Sequence, residues 1–147
     1  MSTRFEKITP TPPPAHEIVR DALTGLEWSV EFSAERLTFA QAEAYIAELN
    51  AENHLGYRDW RFPSRVELLS IVDDTRHSPA IDTDAFPGTA SEWFWTATPY
   101  AADPKSYAWV VRFSNGHSCE SRRGYTYRVR AVRGPARQFS ASLERAA

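Results

Sequence analysis

Cysteine is almost absent from this chain, and the scarcity closes off two classes at once. Only Cys119 carries a thiol among 147 residues, so no disulfide forms within the chain and a cysteine-rich zinc site is excluded. Long apolar runs are missing too. No stretch approaches the roughly 18 residues that read as a membrane span. The opening residues, Met1 to Lys7, lack the apolar core of a signal peptide. Cytoplasmic residence is therefore the default expectation, with a phage particle or export by another route as alternatives. Charge of one sign is not in excess. The formal net charge of −2 gives no global attraction to nucleic acid or to an anionic membrane.

Catalytic signatures are absent as well. There is no G-x-S-x-G elbow, phosphate loop, dinucleotide fingerprint or H-E-x-x-H pair. His16, His54, His77 and His117 are scattered without metal-ligand spacing. A triad built from distant segments leaves no local trace, but nothing here favours an enzyme, and none is expected. No internal repeat is found.

What remains is a folded, aromatic-rich chain with five Trp, six Tyr and eight Phe, long enough to bury a core as one domain. Its charge is unevenly spread. From Pro104 onward the bases are Lys105, Arg112, Arg122, Arg123, Arg128, Arg130, Arg133, Arg137 and Arg145, against Glu120 and Glu144. The C-terminal third is basic and the rest acidic.

Thr9 to Pro14 (T-P-T-P-P-P) reads as an extended arm, so residues 1–14 are assigned to an N-terminal arm, 15–134 to the domain and 135–147 to a loose tail or short helix. Glu17–Arg20 and Leu26–Val30 predict two short strands around a turn closed by Gly25. Thr38 and Gln41 form a capping box. Behind it, Phe39, Ala42, Ile46 and Leu49 share one helical face. A second capping box, Ser64 with Glu67, opens a helix expected to run to about Asp73 and to bury Val66, Leu69 and Val72. Asp74 to Glu92 is too polar and broken for regular structure. Strands follow over Trp93–Thr98, Tyr107–Phe113, about His117–Arg122 and Tyr127–Arg133. The Tyr107 strand is apolar on both faces and hence central, and Asn115-Gly116 marks a hairpin turn. The order argues for an α+β fold.

Three landmarks stand out: D-A-L-T-G-L-E-W (Asp21 to Trp28), G-Y-R-D-W-R-F-P-S-R-V-E-L (Gly56 to Leu68), and W-F-W-T-A-T … A-W-V-V-R-F-S-N-G … Y-R-V-R-A-V-R near the end. Together they resemble a bacterial domain of unknown function typified by the C-terminal domain of the Legionella collagen-like adhesin. That family is related to C-type-lectin-like and formylglycine-generating-enzyme-like folds, and the resemblance covers roughly residues 15–134. It implies a C-type-lectin-like domain, two helices packed on a twisted antiparallel sheet, with the termini close together. It also implies adhesion, binding of sulfated polysaccharide through a basic surface, and a trimer. In related hypervariable receptor-binding proteins the ligand surface lies on the C-terminal strands and loops. The chain shows no collagen-like stalk, and its single cysteine departs from the cysteine pair of the formylglycine-generating enzymes.

Candidate residues fall into two groups. Trp28, Asp59, Trp60, Arg61, Trp95 and Trp109 read as structural anchors, because aromatics bring large buried area and charges survive burial when paired. Ligand contact is assigned to Arg112, Asn115, His117, Glu120, Arg122, Arg123, Tyr125 and Tyr127. Arginine forks grip sulfate, phosphate or carboxylate, and aromatic faces stack on sugars or cations. The competing reading is a solvated sheet edge guarded by arginine. If Tyr107, Trp109, Val111 and Phe113 share one face of their strand, Arg112 points to the other. No cofactor is expected. Calcium is the one to test, since Asp73-Asp74 and Asp82-Thr83-Asp84 supply oxygen ligands, but the Glu-Pro-Asn, Gln-Pro-Asp and Trp-Asn-Asp patterns of sugar-binding lectins are missing. The expected function is a non-catalytic module binding a glycan, polyanion or protein. The alternative is an assembly subunit of a phage, secretion apparatus or adhesin, with a homo-oligomer in view and nucleic acid disfavoured by the acidic balance.

Overall fold

The computed structural model describes residues 4–8 and 18–135; the expected arm at Thr9–Pro14 and the expected tail beyond Pro135 lie outside them. The fold is α+β, with two antiparallel sheets and two α-helices. Four strands, β1 (Phe5–Ile8), β2 (Ile18–Asp21), β3 (Glu27–Ser29) and β7 (Val132–Arg133), form one sheet in the order β1-β2-β3-β7. Three more, β4 (Trp93–Pro99), β5 (Tyr107–Arg112) and β6 (Ser118–Arg122), form the other in the order β4-β5-β6. The expected hairpin is present as β2–β3. Its turn closes where Gly25, at φ 76°, donates its N–H to the Asp21 carbonyl at 2.7 Å. β1 is an element the sequence reading did not assign, and it covers the outer edge of β2.

A single sheet was expected, and two are found. The segment predicted as one closing strand, Tyr127–Arg133, is shared between them. Tyr127 bridges Leu37, Arg128 bridges Phe94 of β4 in parallel, and only Val132–Arg133 enter a ladder, against β3. Its intervening carbonyls serve the end of β3 and the loop after it: Ser29 and Ser33 donate their N–H groups to Ala131 and Val129, each at 3.0 Å. The extended stretch stitches two sheets rather than lengthening one.

α1 (Phe39–Ala51) begins at the Thr38/Gln41 capping box and buries Phe39, Ala42, Ile46 and Leu49, the face that the spacing dictates. α2 (Arg65–Leu69) begins at the Ser64/Glu67 box but is only five residues long. The buried face is also different from the expected one. Glu67, Leu68 and Ile71 are fully buried, whereas Val66, Leu69 and Val72 are half-buried. The buried Glu67 rotates the helix, because its carboxylate takes two guanidinium N–H bonds from Arg61 at 2.8 Å each.

One core lies between the four-stranded sheet, α2 and the first face of the three-stranded sheet, and includes Trp28, Leu68, Phe94, Val111 and Phe113. A second joins α1 to the opposite face through Phe39, Trp60, Trp95 and Val110. β5 is central in its sheet and feeds both cores, which is why its sequence is apolar on both faces. The segment from Asp74 to Glu92 holds no helix or strand, yet it sends Ile81 and Phe86 fully into the first core.

Candidate functional site

β5 alternates as a strand must, and its first face divides in two. Val111 lies under α2 in the first core, and Phe113 just beyond the strand joins it. Tyr107 and Trp109 lie past the start of that helix and remain half-exposed. Trp109 therefore is not the core anchor expected of it, unlike Trp28, Trp60 and Trp95, which are buried. The reason is the position of α2. Its capping box fixes the first turn at Arg65, and Arg65 rather than the helix covers the indole.

Arg65 is held from three directions. Its backbone N–H donates to Thr98 Oγ1 at 2.8 Å, its Nε donates to Ser118 Oγ at 3.0 Å, and its guanidinium lies 3.7 Å from the centre of the Trp109 ring. Tyr100 packs edge-on against both Tyr107 and Trp109, at 5.9 and 5.8 Å. Arg122, directly across the ladder from Tyr107, places its guanidinium 5.4 Å from that ring. Glu120 stands exposed opposite Trp109. The result is a strip running Arg65, Trp109, Tyr100, Tyr107, Arg122. Among the described residues neither Arg65 nor Arg122 has a carboxylate within ion-pairing distance.

The other predicted contact residues do not join this strip. Arg112 and His117 sit on the opposite face around Trp93, at 5.7 and 5.8 Å. Asn115 uses its Oδ1 to accept the His117 N–H at 3.0 Å, closing the turn at Gly116. Tyr127 packs on Trp95 at 5.0 Å and shares a hydrogen bond with Ser121 at 2.8 Å, so it fixes the fold. Arg123 lies on the Phe39 ring, donates to the Pro104 carbonyl and accepts the Phe39 N–H through its own carbonyl. It ties α1 to the sheet. Tyr125 is exposed and apart. Arg65 and Tyr100 were missed by the sequence reading; Arg65 carries a local signal, being the first residue after a capping serine beside a stack of aromatics.

The charged anchors pair at a distance rather than with each other. Asp59 binds Arg133 through two hydrogen bonds of 2.8 and 3.1 Å, and Arg133 also meets Glu27 while lying 3.6 Å from the Tyr57 ring centre. The Arg133 guanidinium holds the Asp59 carboxyl below its ordinary range. Arg36 and Arg128 do the same for Glu92. Trp60 is clamped by Asn50, whose side-chain amide takes its N–H and donates to its carbonyl at 2.8 and 2.9 Å. Arg61 and Glu67 floor a cleft of about 580 Å³ walled by Phe39, Phe62, Pro99 and Arg123.

Asp73 and Asp82 organise their own loop. Asp73 Oδ1 accepts from the Thr75 N–H and hydroxyl, and Asp82 Oδ1 from the Asp84 and Ala85 N–H groups. Among the described residues no group of three or more His, Cys, Asp or Glu is placed to hold a metal ion, and no helix is long and apolar enough to cross a membrane. A family model described as the Lcl C-terminal domain matches residues 17–133. No curated protein matches the chain.

Proposed function

The chain belongs to the Lcl C-terminal domain family, and from that premise we propose that it is a non-catalytic, adhesin-type binding module for an anionic polymer, foremost a sulfated or carboxylated glycan. The reading is of a C-type-lectin-like domain whose ligand surface is the open end of the three-stranded sheet. Two helices on antiparallel sheets, with the first and last strands in one sheet, support that assignment. One observation carries the functional reading: Arg65 and Arg122 lie against Trp109 and Tyr107 with no carboxylate partner among the described residues.

The aromatic rings act on the arginines in two ways. They satisfy one face of each guanidinium, and they limit the rotamers that a ligand would otherwise have to freeze. Arg65 spends its Nε–H on Ser118, and its terminal N–H groups together with the Arg122 fork are left to donate to sulfate or carboxylate. Such capture is charge-driven, so it weakens as salt rises. Calcium has no part in it.

Titration with heparin as the probe, at low and at physiological salt, with calcium and with chelator, tests the proposal. Binding is expected at low salt, weaker at physiological salt, and indifferent to chelator. The Arg65→Ala/Arg122→Ala variant should lose about tenfold or more in affinity, since each charge-assisted hydrogen bond removed is worth about 1.5–3 kcal/mol. Undetectable binding at low salt, or equal binding by the double variant, overturns it.

A further inference from the structure

The cleft of about 580 Å³ beside the start of α1 has the size of a small-ligand site. It opens on the face of the three-stranded sheet that α1 covers, opposite the Arg65–Trp109 strip. Its walls come from three places: Phe39 is the first residue of α1, Phe62 precedes the α2 cap, and Ala97 and Pro99 belong to β4. The Ala97 N–H donates to the Pro63 carbonyl at 2.8 Å, which draws the Phe62 segment along the edge of β4. Phe62 then stands 5.0 Å from Phe39, ring centre to ring centre. Phe62 is half-buried, and Ala97 and Pro99 are exposed.

The charged groups of the cleft fall into two sets. Those of the floor are satisfied, because Arg61 gives its N–H groups to Glu67 and to the Phe62 and Gly134 carbonyls. Those of the rim are not. Arg123 lies 4.1 Å from the centre of the Phe39 ring and donates through one terminal nitrogen to the Pro104 carbonyl at 2.8 Å. Its Nε is buried without an acceptor, and its other terminal nitrogen, Nη1, has none among the described residues. Glu43 follows Phe39 by one turn of α1 and is exposed. Its carboxylate has no ion-pair partner among the described residues. A guanidinium and a carboxylate therefore border one aromatic ring without pairing with each other.

These walls and charges select a ligand. A sugar ring would press its hydroxyls against four apolar groups that offer no hydrogen bond, and each hydroxyl so desolvated opposes binding. A polyanion would meet Glu43. What fits is an apolar body carrying one anion and one cation on the same carbon. We propose that the cleft binds a free α-amino acid with an apolar side chain, taken as the zwitterion. Its α-carboxylate accepts from Arg123 Nη1, its ammonium donates to Glu43, and its side chain covers Phe62, Ala97 and Pro99. The proposal does not rest on anion capture by the Arg65–Trp109 strip.

Amide NMR titration of the isotope-labelled full chain, with L-phenylalanine as the probe, tests it. Three altered probes accompany it: glycine lacks the side chain, N-acetyl-phenylalanine the ammonium and phenylalaninamide the carboxylate. Saturable shifts are expected at the Glu43, Phe62 and Ala97 amides. Each altered probe should bind about tenfold more weakly, for want of one charge-assisted hydrogen bond or one covered side chain. Glu43→Gln changes an exposed residue and should keep the parent's melting midpoint. It should weaken phenylalanine by the same factor and leave N-acetyl-phenylalanine unaffected. Saturating phenylalanine should not alter heparin binding, so this reading and the anion-binding one can each fail alone. No saturable shift at those amides overturns the proposal. So does an altered probe that binds as tightly as phenylalanine, or a Glu43→Gln variant that binds phenylalanine like the parent.

Discussion

Glu67 is both the last partner of the α2 cap and the acceptor for Arg61. Its Oε1 takes the Ser64 N–H at 2.8 Å as well as an Arg61 N–H. Arg61 also reaches the Gly134 carbonyl from Nε and one terminal nitrogen, both at 3.2 Å, so one guanidinium joins α2 to the residue that follows β7. Arg61→Ala would leave a buried carboxylate without its two guanidinium bonds, costing about 3 kcal/mol, the low end for breaking a buried pair. The low end applies because the Arg61 side chain is 28% exposed. Urea unfolding of the variant measures it. Arg130 is a different case: it is buried among Phe32, Phe86 and Phe94, donates to Val30 O and Thr89 Oγ1, and burial pushes its guanidinium down to about 9.

The paired acids make the pH profile predictable. Asp59, Asp73 and Glu92 all have folded values below their ordinary ones of 3.8, 3.8 and 4.5. The causes are Arg133 for Asp59, the Thr75 hydroxyl and N–H for Asp73, and Arg36 with Arg128 for Glu92. Depressed carboxylates stabilise fully above their unfolded values, and that contribution disappears as pH falls through the folded ones. The melting midpoint should therefore hold from neutrality to about pH 5 and drop below pH 4. Glu92→Gln should melt lower at neutral pH and fall less steeply in acid. Parallel slopes for the two proteins would show that Glu92 takes no part.

At the scale of elements, local signals were legible and nonlocal ones were not. Thr38 with Gln41, and the four apolar residues behind them, announce α1 because cap and stripe lie within one continuous helix. α2 carries the same kind of cap, but five residues give too little periodicity to choose a face. The residue that decides the face, Glu67, looks like a surface acid until Arg61 is placed beside it. Trp109 reads as core because an aromatic brings large buried area; its exposure depends on where another element begins. Gly116 links these scales. It adopts φ 82° in the predicted Asn-Gly turn, and a Cβ there would sit 2.7 Å from Val72 Cγ1. Gly116→Ala should cost about 2 kcal/mol, combining left-handed strain with the overpacking of a contact. Because Val72 follows α2 directly, relief by Val72→Ala in the double variant would locate the cost in that contact. An additive double variant would place it in the backbone alone.

Across the whole molecule the arginines divide by role. Arg4, Arg20 and Arg133 pair with acids on the four-stranded sheet, and Arg36 and Arg128 pair with Glu92. Arg65, Arg112, Arg122 and Arg123, all on the three-stranded sheet or against it, lie on aromatic rings and have no carboxylate partner among the described residues. A net charge of −2 thus conceals a sheet whose cations are not spent on ion pairs among the described residues. This division has a thermodynamic consequence. Removing the Arg65 and Arg122 guanidiniums breaks no ion pair among the described residues, so Arg65→Ala/Arg122→Ala should melt close to the parent without ligand. A ligand that binds only the native state stabilises it by mass action, by about 2.7 kcal/mol at a hundredfold excess over Kd, and so raises the melting midpoint. Saturating heparin should therefore raise the parent's midpoint at low salt and leave the double variant's almost unmoved. Asp59→Ala should show the converse: a lower midpoint without ligand and an undiminished rise with it. If the double variant keeps the full rise, the anion sits elsewhere, and Arg112 and His117 around Trp93 become the next residues to change.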